Sequence, residues 1–268
     1  MQTLKKAEAG QVEAAAATIY DREFVPTLFG QFAPMLVDAA AIAPGENVLD
    51  VGCGTGIAAL AAAERAGTER RVTAVDINPG MLAVARGKSC AITWIEAPAE
   101  SLPFADHQFD AVLCQFALMF FADRTAALRE MARVTKPGGR IALLVWDVLE
   151  RTPAYDRLVP LIGEIVSRDA AAALAAPFSL GSIGDIKDEL DRAGLKLAEH
   201  GVLMGTARHA SLDAWIDTEI GGWTLSDMVT ADQLRRLKAA LRHHLTAHIG
   251  ADGRVAFPAP ARLVMIRP

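Results

Sequence analysis

Apolar residues along this chain fall into short continuous runs separated by longer segments with helical spacing. The runs are rich in Val, Ile, Leu and Ala, and lie at 48–51, 72–76, 92–96, 110–114 and 140–146. Such runs are typical of strands buried on both faces of a parallel sheet. The segments between them have the alanine-rich or amphipathic pattern of helices, so the order of elements predicts an α/β fold.

The last third of the chain continues this pattern less regularly. It predicts a sixth strand at 196–204, a helix that Ser211 opens, another that Thr230 caps, and a last strand at 261–266. His200 and His209 flank the predicted sixth strand, and like the other histidines they are interpreted as surface or structural residues.

Near the N-terminus, helical composition covers residues 7–20 and 33–41. Between these two segments, residues 20–26 are more polar and contain Pro26, which predicts an interruption of the helix. Farther along, the Lys-Pro-Gly-Gly sequence at 136–139 predicts a helix stop and a tight return before the fifth strand.

A glycine-rich turn follows the first strand. Gly52, Gly54 and Gly56 alternate with Cys53 and Thr55, and an alanine-rich helix starts directly afterwards. Glycine permits the unusual backbone angles of such a turn and lets the main chain approach a ligand closely. The free N–H groups at the start of the next helix would face that ligand, so the turn predicts a binding site.

Two polar residues at strand ends are candidates for the same site. Asp76 ends the second strand, where a carboxylate can accept hydrogen bonds from ribose hydroxyls. A role as helix cap fits Asp76 less well because Asn78 already stands before Pro79 at the capping position. Gln115 interrupts an apolar run after the fourth strand, so it needs a polar partner, either a ligand or a structural hydrogen bond.

Several motifs occur together in a fixed order. Val-Leu-Asp-Val precedes a G-x-G-x-G turn, which differs from the G-x-G-x-x-G of dinucleotide-binding enzymes. Asn-Pro-Gly-Met-Leu follows at 78–82, Ala-Glu-Ser-Leu-Pro-Phe at 99–104, and Arg-Val-Thr-Lys-Pro-Gly-Gly at 133–139. Residues 20 to 146 therefore resemble the class I S-adenosylmethionine (SAM)-dependent methyltransferases, of the small-molecule, UbiE-like type 11 branch.

This resemblance implies a Rossmann-like sandwich: a seven-stranded, mostly parallel sheet with an antiparallel last strand and helices on both faces. It divides the chain into an N-terminal helical lid at 1–43, a cofactor-binding core at 44–146, and a C-terminal half with a helical substrate-pocket insertion at 147–268. The three parts would form a single domain.

The resemblance also assigns candidate SAM-binding residues. The turn, with Asp50, Gly52, Cys53 and Gly54, would hold the methionine part of the cofactor. Further assignments are Tyr20 and Gln115 at the methionine end, Asp76 at the ribose, Ile77 and Met81 beside the adenine, Ala99 and Glu100 at the adenine edge, and Phe116 between core and substrate pocket.

Alternatives remain open at some of these positions. Tyr20 could instead pack against the sheet edge, Met81 could be ordinary core, and Trp146 could lie in the core or beside the substrate. Pro98 stands where the family usually has an Asp that bonds the adenine amino group, which leaves the backbone N–H of Ala99 and the neighbouring Glu100 to meet that edge.

Composition and charge narrow the possible partners. The 268 residues are 52% apolar and 22% charged with a net charge of −5, which is unfavourable for binding a nucleic acid backbone. The longest apolar stretch is too short to span a bilayer, and no secretory signal is evident. Three scattered cysteines predict reduced thiols. We therefore expect a cytoplasmic monomer or homodimer with no nucleic acid, membrane or metal partner.

The expected function is transfer of a methyl group from SAM to an O, N or C nucleophile of a small molecule. No catalytic residue can be named, because a general base is needed only if the acceptor is protonated at neutral pH. Two alternatives remain: a non-catalytic SAM-binding regulator or scaffold, and an NAD-dependent oxidoreductase, which the glycine spacing disfavours.

Overall fold

The computed structural model describes residues 14–67, 71–221, 225 and 228–268. Within these residues seven strands form one sheet in the order β3-β2-β1-β4-β5-β7-β6. Its strands are β1 Val48–Val51, β2 Val72–Asp76, β3 Thr93–Glu96, β4 Phe109–Gln115, β5 Thr135–Trp146, β6 Leu197–His209 and β7 Val255–Ile266. The first five pair in parallel, whereas β7 runs antiparallel to both β5 and β6. The predicted fold class is confirmed.

Helices connect the strands and cover the sheet. Every residue of β1 and five of the seven residues of β4 are buried, which requires cover on both faces. The α-helices are α1 Ala14–Ile19, α2 Phe32–Ala39, α3 Ile57–Ala66, α4 Pro79–Arg86, α5 Arg124–Val134, α6 Pro153–Ile165, α7 Arg168–Ala175, α8 Ile183–Ala193, α9 Leu212–Gly221 and α10 Ala231–His244. A π-helix covers Tyr20–Phe29, and short 3₁₀ turns lie at Leu118–Phe120, Leu149–Arg151, Ala176–Phe178 and Thr246–His248.

The capping residues begin their helices as the sequence predicts. The Asn78 side chain accepts hydrogen bonds from the amides of Gly80 and Met81 at 2.8 and 3.1 Å. Thr230 and Gln233 form a reciprocal capping box at the start of α10. These contacts are local in sequence, which is why the pattern alone could predict them.

The N-terminal prediction is wrong in one respect. The first part of the helix expected at 7–20 lies outside the described residues. From Tyr20 onward the chain does not break at Pro26 but continues as a ten-residue π-helix. The amide of Gly30 donates to the carbonyl of Val25 at 2.7 Å, an i to i+5 bond of the wider turn. A proline inside a helix removes one backbone donor and crowds the preceding turn, but the buried Phe24, Leu28 and Phe29 hold the segment against the core.

Three strands are longer than predicted. Strand β5 already begins at Thr135, opposite Phe109, with a register shift before Ala111 pairs with Arg140. Strands β6 and β7 form a long antiparallel pair up to His209 opposite Val255. Burial in β6 alternates instead of running continuously, so the apolar pattern could not reveal its length.

His200 and His209 therefore lie within β6 and do not flank it. His209 is buried, and among the described residues its Nε2 has no hydrogen-bond partner. Burial lowers the pKa of His209 to about 4, so this side chain is neutral at physiological pH.

A buried ion pair ties the end of the sheet together. Arg262 on β7 contacts Asp147, the residue directly after β5, and the Arg262 Nε also donates to the carbonyl of Gly181 at 2.7 Å. The Asp147 side chain is fully buried.

Nowhere in the described part of the chain is there a helix long and apolar enough to cross a bilayer.

Candidate functional site

A cavity of about 190 Å³ lies where β1, β2 and β4 reach their carboxyl ends. Ligands of open α/β sheets bind at this edge. The twelve residues predicted from the sequence all line this first cavity: Tyr20, Asp50, Gly52, Cys53, Gly54, Asp76, Ile77, Met81, Ala99, Glu100, Gln115 and Phe116. Other lining residues, which sequence reasoning did not assign, include Thr55, Asn78, Phe120 and Phe121.

The glycine turn shapes one wall of the first cavity. Gly52, Gly54 and Gly56 all have positive φ angles, of 70°, 54° and 88°. A Cβ on Gly52 would lie 2.4 Å from the Ala117 Cβ, and one on Gly56 would lie 2.4 Å from the Trp94 ring. A Cβ on Gly54 would meet no atom within 4 Å. Packing thus requires glycine at the outer two positions, whereas at Gly54 the open space is available to a ligand.

Asp76 joins the glycine turn to the loop after β2. Its Oδ2 accepts from the Gly54 amide at 2.7 Å and its Oδ1 accepts from the Asn78 amide at 2.8 Å. Burial raises the pKa of Asp76, while these backbone hydrogen bonds oppose the shift. Each carboxylate oxygen can accept a further hydrogen bond, so Asp76 retains the capacity to bind hydroxyl groups.

Three buried polar side chains that line the first cavity have oxygens without partners among the described residues: Asp50, Thr55 and Gln115. Neither carboxyl oxygen of Asp50 has a hydrogen bond of normal geometry among the described residues, and Asp50 is almost fully buried. Burial raises its pKa to about 7, which the nearby Ala59 amide partly offsets. The Gln115 Oε1 also lacks a partner, while its Nε2 donates to the Phe29 carbonyl at 3.4 Å. A buried acceptor without a hydrogen bond costs free energy, so this part of the first cavity has the character of a site for a ligand that carries hydrogen-bond donors.

Apolar residues and Glu100 form the opposite wall of the first cavity. Ile77 is half exposed, which is unusual for a large apolar residue, whereas Met81 in α4 is buried. The Glu100 Oε1 accepts hydrogen bonds from the amides of Ala122 and Asp123 at 2.9 and 3.2 Å. Glu100 thus fixes the loop before α5, and its contact with a cofactor stays a prediction.

A second, smaller cavity adjoins the first, and Tyr20, Phe116 and Phe120 line both. The other residues of the second cavity are mostly aromatic or aliphatic: Phe24, Leu28, Phe29, Trp146, Tyr155, Leu174, Pro177, Phe178 and Glu219. Burial and the charges of Asp76 and Asp21 raise the pKa of Tyr20, so its phenol is neutral.

The boundary between the two cavities is conformationally unusual. Phe116 has a φ of 53°, a left-handed conformation that costs free energy for a residue with a side chain. Its amide donates to the Leu144 carbonyl at 2.7 Å, and its ring stacks on Trp146 with centroids 4.0 Å apart. Trp146 is therefore both packed in the core and exposed to the second cavity.

Glu219 is a charged residue in the wall of the second cavity, and the sequence analysis did not assign it to a site. It is 5% exposed, and its Oε1 accepts a hydrogen bond from the Tyr155 hydroxyl at 2.6 Å. Burial raises the pKa of Glu219 to about 7, and hydrogen bonds from Tyr155 and Trp215 oppose this. A signal was present, because Glu219 falls on the buried stripe of α9 with Leu212, Trp215 and Ile216.

The electrostatic character of both cavities is acidic. Asp50, Asp76 and Glu100 line the first cavity and Glu219 lines the second. Among the described residues, no Lys, Arg or His contributes to either wall. This arrangement fits a ligand with positive charge and does not fit the pyrophosphate of a dinucleotide.

Comparison with known proteins identifies the family of this chain. Residues 49–143 match the family model described as a methyltransferase domain. The chain is 39% identical over 147 residues to the ubiquinone/menaquinone biosynthesis C-methyltransferase UbiE of Xanthomonas campestris, covering 50% of this chain and 58% of that protein. It is 35% identical over 181 residues to the UbiE of Burkholderia cenocepacia, covering 62% of this chain and 74% of that protein. The chain thus spans less than two thirds of the Xanthomonas relative.

Solved structures share the fold at low identity. The YcgJ protein of Bacillus subtilis is 24% identical with a TM-score of 0.57, covering 88% of this chain and 98% of its own. A SAM-dependent methyltransferase of Aquifex aeolicus is 18% identical with a TM-score of 0.54, covering 71% and 92%. With the Burkholderia match, these findings show that the chain belongs to the class I S-adenosylmethionine-dependent methyltransferases.

Proposed function

We propose that this chain transfers the methyl group of SAM to an O, N or C nucleophile of a small molecule. The observation that carries the proposal is the first cavity, where an unpaired Asp50 carboxyl, an unpaired Gln115 oxygen and the open face of Gly54 meet. The family's cofactor is SAM, which carries an ammonium group, a ribose and a sulfonium. These residues have the chemistry to hold it.

In this proposal, different residues of the first cavity contact different parts of the cofactor. Asp50 and Gln115, with the turn from Gly52 to Gly54 and Tyr20, would hold the methionine part. Asp76 would accept the ribose hydroxyls. Ile77, Met81 and Ala99 would enclose the adenine. When bound, SAM supplies a sulfonium methyl group that a nucleophile can displace in line, and the chain contributes by positioning the two partners.

The π-helix supports a dry site and the proposed lid role of residues 1–43. Phe29 packs on Phe116 and Trp146 with centroids 5.5 and 5.6 Å away. Lys88 forms an ion pair with Asp21 at the start of this helix and donates to the Thr55 carbonyl at 2.9 Å. The helix is thereby fastened over the glycine turn, which limits the access of water to both cavities.

The relatives inform the choice of acceptor atom. The matched Xanthomonas and Burkholderia proteins are named as C-methyltransferases of ubiquinone and menaquinone biosynthesis. Carbon methylation is therefore included in the proposal beside oxygen and nitrogen. A cytoplasmic location and a monomeric or dimeric state remain predictions from the sequence.

Calorimetric titration tests the proposal directly. S-adenosylhomocysteine should bind the full chain with one site, and NAD should not bind. Mass spectrometry of the reaction with SAM and a panel of phenols, quinols, amines and carboxylates should then show an acceptor that gains one methyl group. Binding of NAD without S-adenosylhomocysteine would contradict the proposal, and cofactor binding without turnover on any acceptor would favour a regulator.

A further inference from the structure

The second cavity lies where an acceptor would have to bind. It shares Tyr20, Phe116 and Phe120 with the first cavity, so a molecule there would be next to the cofactor. This step rests on the proposed function, because it takes the first cavity to be the SAM site. The character of the second cavity then bears on which acceptors the chain accepts.

Ring faces dominate the wall of the second cavity. The ring of the shared Phe116 stacks on Trp146. The ring centroids of Trp146 and Phe178 are 6.4 Å apart, and those of Phe178 and Tyr155 are 5.2 Å apart. Aromatic faces attract cations because their quadrupole places negative charge above the ring. They also bind flat apolar groups, so the rings alone do not distinguish a neutral ligand from a charged one.

Glu219 supplies that distinction. Its carboxyl group is buried in the wall, and Tyr155 fixes it with the 2.6 Å hydrogen bond. In the described lining of the cavity there is no basic side chain to neutralise a carboxylate. A buried carboxylate without a cation destabilises a protein, whereas a ligand that brings the cation removes that cost. An anionic ligand would be repelled, and a hydroxyl group would satisfy only a hydrogen bond.

We propose that the second cavity selects acceptors that carry an amine: the aromatic wall holds the body of the molecule, and Glu219 pairs with its ammonium group. Glu219 is thus a specificity-determining residue, positioned by Tyr155. The proposal concerns recognition and applies whether the amine or another atom of the acceptor receives the methyl group.

Three matched probes test the charge preference. The full chain, saturated with S-adenosylhomocysteine, is titrated by calorimetry with 2-phenylethylamine, 2-phenylethanol and phenylacetate. We expect the amine to bind at least about tenfold more tightly than the alcohol, and phenylacetate to show no binding. Equal affinity of the amine and the alcohol, tighter binding of phenylacetate, or no binding of the amine would overturn the proposal.

Variants of α9 connect the preference to Glu219. Glu219→Gln should lower amine affinity about tenfold and leave alcohol affinity unchanged, since the amide keeps a hydrogen-bond acceptor but loses the charge. Asp217→Asn is the matched control, because Asp217 lies on the same helix with an exposed side chain paired to Lys238. An unchanged amine affinity in Glu219→Gln would contradict the proposal. Binding of S-adenosylhomocysteine alone tests the proposed cofactor site. The amine titration is also repeated without S-adenosylhomocysteine. A failure of the amine proposal can then be distinguished from a failure of the proposed function.

The wild-type chain offers a second measurement that needs no variant. Amine affinity should increase between pH 5.5 and 8.5 as Glu219 loses its proton, while alcohol affinity stays constant. The other titratable groups in the cavity are Tyr20 and Tyr155, and burial raises the pKa of both, so they stay neutral in this range. The amine itself remains protonated, as an alkyl ammonium does. A flat profile for the amine would also overturn the proposal.

Discussion

The carboxylate of Asp76, at the end of β2, accepts a hydrogen bond of 2.7 Å from the amide of Gly54 in the turn after β1. Two neighbouring strands are thereby joined at their carboxyl ends. The same carboxylate also accepts from Asn78, which precedes α4. Asp76 thus shapes the first cavity in addition to its proposed contact with the ribose.

Asp76→Ala should weaken S-adenosylhomocysteine binding by more than ~1 kcal/mol, because it removes a charged hydrogen-bond acceptor. Isothermal calorimetry measures this loss. Asp38→Ala is the control, since Asp38 is exposed and pairs with Arg65 on the surface. An affinity as high as that of the wild type would show that Asp76 is not the ribose partner.

Gly54→Ala and Gly56→Ala should separate binding from stability. A Cβ on Gly54 enters open space at a φ of 54°, so it should cost only ~1 kcal/mol of stability while obstructing the cofactor. A Cβ on Gly56 meets the Trp94 ring, so this variant should lose ~2–4 kcal/mol of stability. Thermal unfolding and calorimetry together measure both effects. A Gly54→Ala chain with normal cofactor affinity would contradict the assignment of the turn.

Glu219→Gln should stabilise the ligand-free chain at pH 8 and not at pH 4.5. The folded-state pKa of Glu219 is raised to about 7 from an ordinary value of 4.5. A raised carboxyl pKa means that stability present below pH 4.5 is lost as the pH increases toward 7. The neutral amide avoids that loss, so we expect a gain of ~1–3 kcal/mol at pH 8.

Urea unfolding at the two pH values measures this difference. Asp217→Asn should show no comparable change between them, because Asp217 is exposed. If Glu219→Gln were less stable than the wild type at pH 8, Glu219 would serve a structural role instead of a binding role. A gain in stability when a residue is replaced is typical of residues that are retained for function.

Arg262→Met should destabilise the chain by ~3–5 kcal/mol, because it removes the buried cation of this pair and leaves only the exposed Arg151 beside the buried Asp147 carboxylate. The matched control is Arg151→Met, since Arg151 pairs with the same Asp147 at 3.3 Å but is 63% exposed. That control should cost less than ~1 kcal/mol. Equal losses in the two variants, measured by denaturant unfolding, would refute the importance of the buried pair.

Local patterns in the sequence determined the helix caps, the first four strands and the glycine turn, and the resemblance to the methyltransferases assigned twelve of the residues that line the first cavity. The physical reason is that caps, turns and buried parallel strands depend on neighbouring residues or on continuous apolar runs. Parallel strands place their carboxyl ends at one edge of the sheet, so the sequence alone was enough to group Asp76 and Gln115 with the glycine turn.

Only the tertiary structure decided the features that depend on distant contacts. Pairing with β7 sets the length of β6, and Phe29 packed on Trp146 helps hold the π-helix in place of a break at Pro26. Arg262 and Asp147 are 115 positions apart, and Tyr155 and Glu219 are 64 apart. No local propensity records such pairs, because their free energy arises when separate elements exclude water together. The acidic aromatic cavity therefore became visible only in the folded chain.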